Sequence, residues 1–295
     1  MAVGVLVGTA ILIACSLGLA TAARHPAVGA AHPLPPAPLA ASLPAAHVRH
    51  IASGATSANW GGYVALPASG GNITEGFAQW RVPAVTCPSG LNGATYHLTW
   101  VGFDGWTTNT VEQAGTQDYC SGANATPAYY AWWEFYPYNA IQTKHSVKAG
   151  DLVQSYVLYN PAVCYGATHC GVYTLDLADL TSGYNFTVVG NPSICGTSPF
   201  TGATACEAGN DTSAECITEA ESIGSVYQPI SRYGNLSFSD CTVTLHGALK
   251  GIGGFSHFAV TTVGSVSGKV VQVSSRLSAG YWTRSVFTTT WKGYD

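Results

Sequence analysis

The chain has 295 residues, of which 47% are hydrophobic, 11% aromatic and only 9% charged, with 15 Asp+Glu against 11 Lys+Arg. An ordinary soluble domain carries about a quarter charged residues, yet the apolar content here is ample for a core, so disorder is excluded. A net charge of −4 and the lack of Lys/Arg clusters argue against a nucleic-acid partner. The sparse charge suits a secreted all-β protein. It also leaves few ion pairs for acid to break, since acid unfolding works largely by protonating paired carboxylates.

Residues 1–22 read as a secretory signal peptide, with an apolar run from Val3 to Leu19 followed by Ala20-Thr21-Ala22, an A-x-A cleavage pattern. The competing reading is a lipoprotein site at Leu12-Ile13-Ala14-Cys15, which would tether the product to a membrane through Cys15, although the apolar run continues past it. Residues 23–56 are mostly Ala, Pro and His, a composition that packs no core and reads as a pro-segment or linker. This stretch holds Arg24, Arg49, His25, His32, His47 and His50 and none of the 15 acidic residues. A basic leader on an acidic body suggests an electrostatic lid that fades as carboxylates protonate, and a plain spacer is the alternative.

Residues 57–295 read as one β domain. Runs rich in β-branched and aromatic residues are Ile73–Val82, Tyr96–Phe103, Tyr129–Tyr136, Leu152–Tyr159, Val172–Leu177, Phe186–Val189, Cys241–Leu245, His257–Val263 and Val270–Leu277. Turn signals such as Ser69-Gly70-Gly71-Asn72 and Lys148-Ala149-Gly150-Asp151 separate several of them, and no stretch keeps a 3.6-residue apolar stripe. The expected architecture is an all-β, two-sheet antiparallel sandwich of jelly-roll type. Apart from Cys15, eight cysteines remain, an even number that reads as disulfides behind a signal peptide. Cys164/Cys170 and Cys195/Cys206 are the local pairs; Cys87/Cys120 and Cys216/Cys241 are one way to pair the rest, and spacing alone does not fix the connectivity. Without a C-x₂-C pair, a zinc site is a poor rival.

Common hydrolase signatures are missing: there is no G-x-S-x-G and no H-E-x-x-H. Five runs instead occur in order: Asn59-Trp60-Gly61-Gly62, Trp100-Val101-Gly102-Phe103-Asp104-Gly105, Glu112-Gln113-Ala114-Gly115, Trp132-Trp133-Glu134-Phe135-Tyr136-Pro137 and Ala214-Glu215-Cys216-Ile217-Thr218-Glu219. Together they resemble the glutamic peptidase (eqolisin) family of secreted acid endopeptidases, across roughly residue 57 to Trp291. The resemblance implies a concanavalin-like sandwich and a catalytic dyad of Gln113 and Glu219. Glu219 would act as general base on a water and then as acid to the leaving amine. Gln113 would stabilise the oxyanion. Trp60, Trp100, Asp104, Trp132, Glu134 and Tyr136 are expected around the dyad, touching substrate or supporting it. No metal or cofactor is implied, and the expected partners are polypeptide substrates acted on by a monomeric zymogen product.

The residue types fit that chemistry. A base that works in acid must stay ionised there, which suits a glutamate near 4.3 or one pulled lower by amide donors. A neutral amide keeps its donor at any pH, and one oxyanion donor is worth about 3–4 kcal/mol of barrier. Two positions depart from the family pattern. Cys216 replaces an aromatic, which points to an extra disulfide beside Glu219, and Gln117 stands where relatives carry an acid. Taken singly, Glu215, Glu219 and Glu221 share a strand parity that fits a solvated face. Trp60, Trp100, Trp132 and Trp133 are core aromatics by default. His97, His145, His169, His246 and His257 are scattered and read as structural. A carbohydrate-active or carbohydrate-binding sandwich using Glu134 and Glu219 is the alternative function, since a glycosidase needs two flanking carboxylates. A non-catalytic envelope protein follows if Cys15 is lipidated.

Overall fold

The computed structural model describes residues 49–51, 54–67, 73–91, 93–165, 169–190, 196–197, 204–205, 209, 211–223, 226–278 and 284–295. The strands that build the architecture are β1 (Gly54–Ser57), β2 (Trp60–Leu66), β3 (Ile73–Arg81), β4 (Thr95–Asp104), β5 (Val111–Cys120), β6 (Ala128–Tyr136) and β7 (Leu152–Tyr165). They continue with β8 (His169–Asp179), β9 (Tyr184–Gly190), β10 (Ala214–Glu219), β11 (Asn235–Leu245), β12 (Ser256–Val263), β13 (Val270–Ser274) and β14 (Ser285–Trp291).

Two antiparallel sheets face each other. The front sheet runs β6-β5-β4-β10-β2-β12, with β1 added in parallel beside β12. The back sheet runs β9-β8-β7-β3-β11-β14. β13 pairs with both β12 and β14, so one hydrogen-bonded edge joins the sheets and leaves no open seam there. The expected sandwich is the observed one.

Alternation sorts the residues into layers. Trp80, Val101, Phe103, Ala114, Val157, Leu175 and Phe238 are buried between the sheets. Polar contacts cross the same gap: Trp80 Nε1 donates to Thr116 Oγ1 at 3.0 Å, and Ser155 Oγ donates to the Ala114 carbonyl at 2.9 Å. A second apolar cluster covers the other face of the front sheet and includes Trp60, Leu98, Trp100, Trp106, Trp132, Tyr136 and Ile217. β4 is therefore buried along its whole length, and β5 at all but one position. A strand buried on both faces loses its alternation, which explains why β5 and the Gly-rich β2 are not among the strands that the sequence predicts.

Cys87–Cys120 and Cys216–Cys241 form disulfides, the latter tying front strand β10 to back strand β11. Cys164 and Cys170 oppose each other in the β7/β8 register, but their side chains lie outside the described residues, as do Cys195 and Cys206. Cys15 and residues 1–48 also fall outside the description. The front sheet takes in β1, so the ordered β structure reaches upstream of residue 57.

Candidate active site

The outer face of the front sheet gathers the sequence-selected residues through strand register. Gln113 pairs with Glu134 on one side and Gly102 on the other, and Gly102 pairs with Glu215. Two residues along, Trp132, Gly115, Trp100 and Ile217 form the next row. Two further along come Gln117, Leu98, Glu219 and Trp60. Gln113 and Glu219 thus share a face, two strands and two rows apart. Trp100 fills the space between them. A methyl group on Gly102 would come within 2.8 Å of Trp100 Cζ3 and 3.1 Å of Gln113 Cβ, so only glycine lets the indole lie flat here.

Each of the two side chains has its own holder. Gln113 Nε2 donates to Glu134 Oε2 at 2.6 Å. Glu219 accepts from Trp100 Nε1 at 2.7 Å through Oε2 and from Asn59 Nδ2 at 2.9 Å through Oε1. No hydrogen bond joins Gln113 to Glu219 among the described contacts. Trp60 packs edge-on against Trp100 with centroids 5.0 Å apart, and stacks on Trp106 at 6.4 Å. Trp60, Trp100, Trp132, Gln113, Glu134 and Glu219 are all 0% exposed. Tyr136 is buried next to a cis Tyr136–Pro137 bond, and Tyr227 lies close enough for Glu219 and Tyr136 to help burial push its hydroxyl up to about 12.

Several expectations are corrected. Glu215, Glu219 and Glu221 are not a solvated face: each is at most 1% exposed. Glu219 is not an ordinary or depressed carboxyl. Burial pushes it up to about 8, and hydrogen bonds from Trp100 and Asn59 only partly offset that. Cys216 does not intrude on the site, because it points to the inter-sheet side of β10, opposite Glu215 and Glu219. At Gln117 the carboxylate is supplied from elsewhere, since Gln117 Nε2 donates to Glu221 Oε2 at 2.5 Å. His97 and His145 are structural as read, paired with Asp118 at 2.7 Å and Asp179 at 2.9 Å.

Asp104 ends β4 in a left-handed conformation (φ 67°) and anchors the segment before β10. It accepts from Asp211 N at 3.0 Å, Thr212 N at 2.8 Å and Thr212 Oγ1 at 2.9 Å. Asp211 accepts from the Tyr173 hydroxyl at 2.6 Å. Glu112 and Glu215 join this group; Ser213 bears on the Glu215 carboxyl and the Glu112 carboxyl meets its own backbone N–H, and neither contact offsets the burial. Burial holds Glu112 and Glu215 well above the usual carboxylate range and Asp211 up to about 7, with neighbouring carboxyls adding to the effect.

Sequence reasoning passed over three contributors. Asn59 stood inside the first quoted run, and its placement before a buried Trp was the available signal. Ser57 and Gln272 had none. Gln272 sits behind β10, where Nε2 donates to the Thr218 carbonyl at 2.9 Å and to Thr262 Oγ1 at 2.6 Å. Its Oε1 accepts from Thr218 Oγ1 and the Tyr233 hydroxyl, both at 2.9 Å. Among the described residues no group of three or more His, Cys, Asp or Glu side chains could hold a metal ion.

Residues 58–281 match the Peptidase A4 family. The chain belongs to that family. It is a glutamic-type peptidase, a hydrolase. Among solved structures it is similar to scytalido-glutamic peptidase with a transition state analog inhibitor, at 22% identity and a TM-score of 0.58 over 80% of this chain and 98% of that one. SCP-B, a member of the eqolisin family in a complex with the tripeptide Ala-Ile-His, matches at 21% identity and a TM-score of 0.53 over 80% and 98%. Aspergilloglutamic peptidase from Aspergillus niger matches at 22% and a TM-score of 0.50 over 67% and 99%. At these identities the likeness establishes the fold, the expected two-sheet sandwich. No curated protein sequence matches the chain significantly. Family membership favours a peptidase over the carbohydrate-active reading.

Proposed function

We propose that this peptidase is a secreted acid endopeptidase, made as a zymogen, in which Glu219 and Gln113 carry the reaction on polypeptide substrates. The observation that carries the reading is the outer face of the front sheet. There a buried glutamate with fixed donors and a buried glutamine with a fixed acceptor flank one indole. Glu219 takes a proton from water as the water oxygen bonds to the scissile carbonyl carbon. The carbonyl oxygen becomes an oxyanion, which Gln113 stabilises through an amide N–H. Glu219 then returns the proton to the amide nitrogen as the C–N bond breaks, leaving a carboxylic acid and an amine. The hydrogen bond to Glu134 fixes which way the Gln113 amide faces, and an amide N–H is the kind of donor the oxyanion requires.

With Glu219 raised to about 8 by burial, the closed face stores it as the neutral acid throughout the acid range. A base must be ionised, so catalysis in acid requires the substrate-bound water to rehydrate the carboxyl, which removes the largest cause of its shift. Secretion and zymogen processing rest on residues 1–56. Because β1 is hydrogen-bonded into the sheet, the mature chain is expected to begin upstream of Gly54.

The test is cleavage of denatured protein by the secreted chain between about pH 2 and 5, with N-terminal sequencing of the mature form. Glu219→Gln is expected to abolish cleavage, and Gln113→Ala to lower kcat by about 10²–10³-fold. Undiminished cleavage by folded Glu219→Gln would overturn the assignment.

A further inference from the structure

Glu219 is held from the β1–β2 corner by a directional relay. The Ser57 hydroxyl oxygen receives Asn59 N at 3.3 Å and Trp60 N at 3.1 Å, and the hydroxyl donates to Asn59 Oδ1 at 2.9 Å. Ser57, Asn59 and Glu219 are each at most 2% exposed. A serine hydroxyl has one proton to give. With two backbone N–H groups occupying its lone pairs, that proton goes to the amide oxygen of Asn59. The amide oxygen is thereby committed toward Ser57, and the nitrogen faces Glu219 Oε1 at 2.9 Å. The main chain locks the same spacing, since the Asn59 carbonyl accepts from Ala220 N at 2.9 Å.

We propose that Ser57 and Asn59 are positioning residues for Glu219: Ser57 sets the direction of the Asn59 amide, and Asn59 presents the carboxyl with a donor that pH cannot remove. This rests on the reading of Glu219 as the base. An N–H aimed at a carboxyl oxygen favours the ionised form, whereas a flipped amide would aim its oxygen there and favour the protonated one. The serine therefore decides the sign of the effect without touching Glu219. Among the described residues, Tyr227, from the segment facing it, is the titratable group that interacts with Glu219, while the nearest carboxyl along the chain, Glu221, is hydrogen-bonded to Gln117.

The experiment compares Asn59→Ala, Ser57→Ala and Ser57→Thr in the full-length secreted chain, reading kcat, KM and the acid limb of kcat against pH. Loss of a hydrogen bond to a charged group predicts a fall in kcat of about 10–100-fold for Asn59→Ala, with KM within about twofold. The acid limb is expected to move up by about one pH unit. Ser57→Ala moves both in the same direction by less, and Ser57→Thr, which keeps the hydroxyl, restores them. Ionisation of Glu219 is read separately, from the infrared carboxylate band of each variant minus its Glu219→Gln counterpart, which needs no activity. An acid limb and infrared titration unmoved in folded Asn59→Ala would overturn the proposal, as would equal behaviour of Ser57→Ala and Ser57→Thr. Should Asn59→Ala not fold, the serine pair decides alone. If Glu219→Gln still cleaves, the peptidase assignment of Glu219 falls, and the infrared arm still decides whether Ser57 and Asn59 orient it.

Discussion

Two groups of buried carboxyls sit on the front sheet, and they are built differently. Glu219 is isolated and accepts from two fixed side-chain donors, Trp100 and Asn59. At the far end of β4, β5 and β10, Asp104, Glu112, Asp211 and Glu215 crowd together with Tyr173. There Asp104 accepts from Asp211 N and Thr212, and Asp211 accepts from the tyrosine. Elsewhere among the described residues, carboxylates meet His97, His145 and Arg284, in the contacts His97–Asp118, His145–Asp179 and Arg284–Asp240. Burial makes Glu219 in the first group, and Glu112, Asp211 and Glu215 in the second, poor at holding charge. One is arranged so that charge can be accommodated when water arrives, and the other only so that charge stays away. In the proposed mechanism the first arrangement serves chemistry. The second ties β10 to the end of β4 while the solvent is acidic.

The largest expected effect breaks the second group. A carboxyl raised on folding contributes stability that is complete below its unfolded pKa, near 3.9 for Asp. That contribution is lost as pH rises through the folded value, about 7 for Asp211, with Glu112 and Glu215 displaced in the same direction. The protein is expected to be most stable in acid and to unfold as pH rises past neutrality, followed by tryptophan fluorescence and circular dichroism. Glu112→Gln with Glu215→Gln removes the charge and keeps the shape, so its unfolding midpoint should lie higher in pH than that of the unmodified chain. An unmoved midpoint would mean that the cluster does not set the neutral limit.

A smaller effect tests whether the two groups communicate through β10. Cys216–Cys241 closes a 25-residue separation behind the strand that carries both Glu215 and Glu219. Replacing both cysteines by alanine should cost about 2–4 kcal/mol in denaturant unfolding at acid pH. Because Cys216 faces away from Glu219, kcat at low temperature should stay within a few-fold, so a collapse of kcat in a folded variant would couple the strand's rear face to the site. The smallest change is Tyr173→Phe, which removes the donor that lowers Asp211. It should cost about 1–3 kcal/mol, and it should leave Asp211 harder still to ionise, which an NMR titration of the carboxyl would read.

The fold was legible wherever strands show one face to water or carry dense β-branched residues, as in β3, β7 and β12. It was least legible where the site is built. β2 begins Trp60-Gly61-Gly62, and β5 reads Val111-Glu112-Gln113-Ala114-Gly115, neither of which alternates. Their glycines let neighbouring strands and the Gln272 side chain approach closely, and Gln113 and Gln117 are buried on an outer face already roofed by Trp60, Trp106 and Tyr136. A site that must be dry and crowded erases the solvent contrast on which strand reading depends. The motif order still identified Gln113, Glu134, Trp100 and Glu219 as residues of interest. It could not report that Gln113 is bonded to Glu134, or that Asn59, in plain view, is bonded to Glu219.

By itself the sequence determined the all-β class and the candidate pair Gln113 and Glu219, since composition, residue type and ordered motifs are local properties of the chain; which cysteines pair was left to the structure. Tertiary structure decided what those residues are. Register placed Gln113 and Glu219 on one face around Trp100, turned Cys216 to the other, and buried every carboxyl nearby. The state of a carboxyl depends on the water it loses and the donors it meets, and both are supplied by segments as far apart in sequence as Asn59 and Glu219.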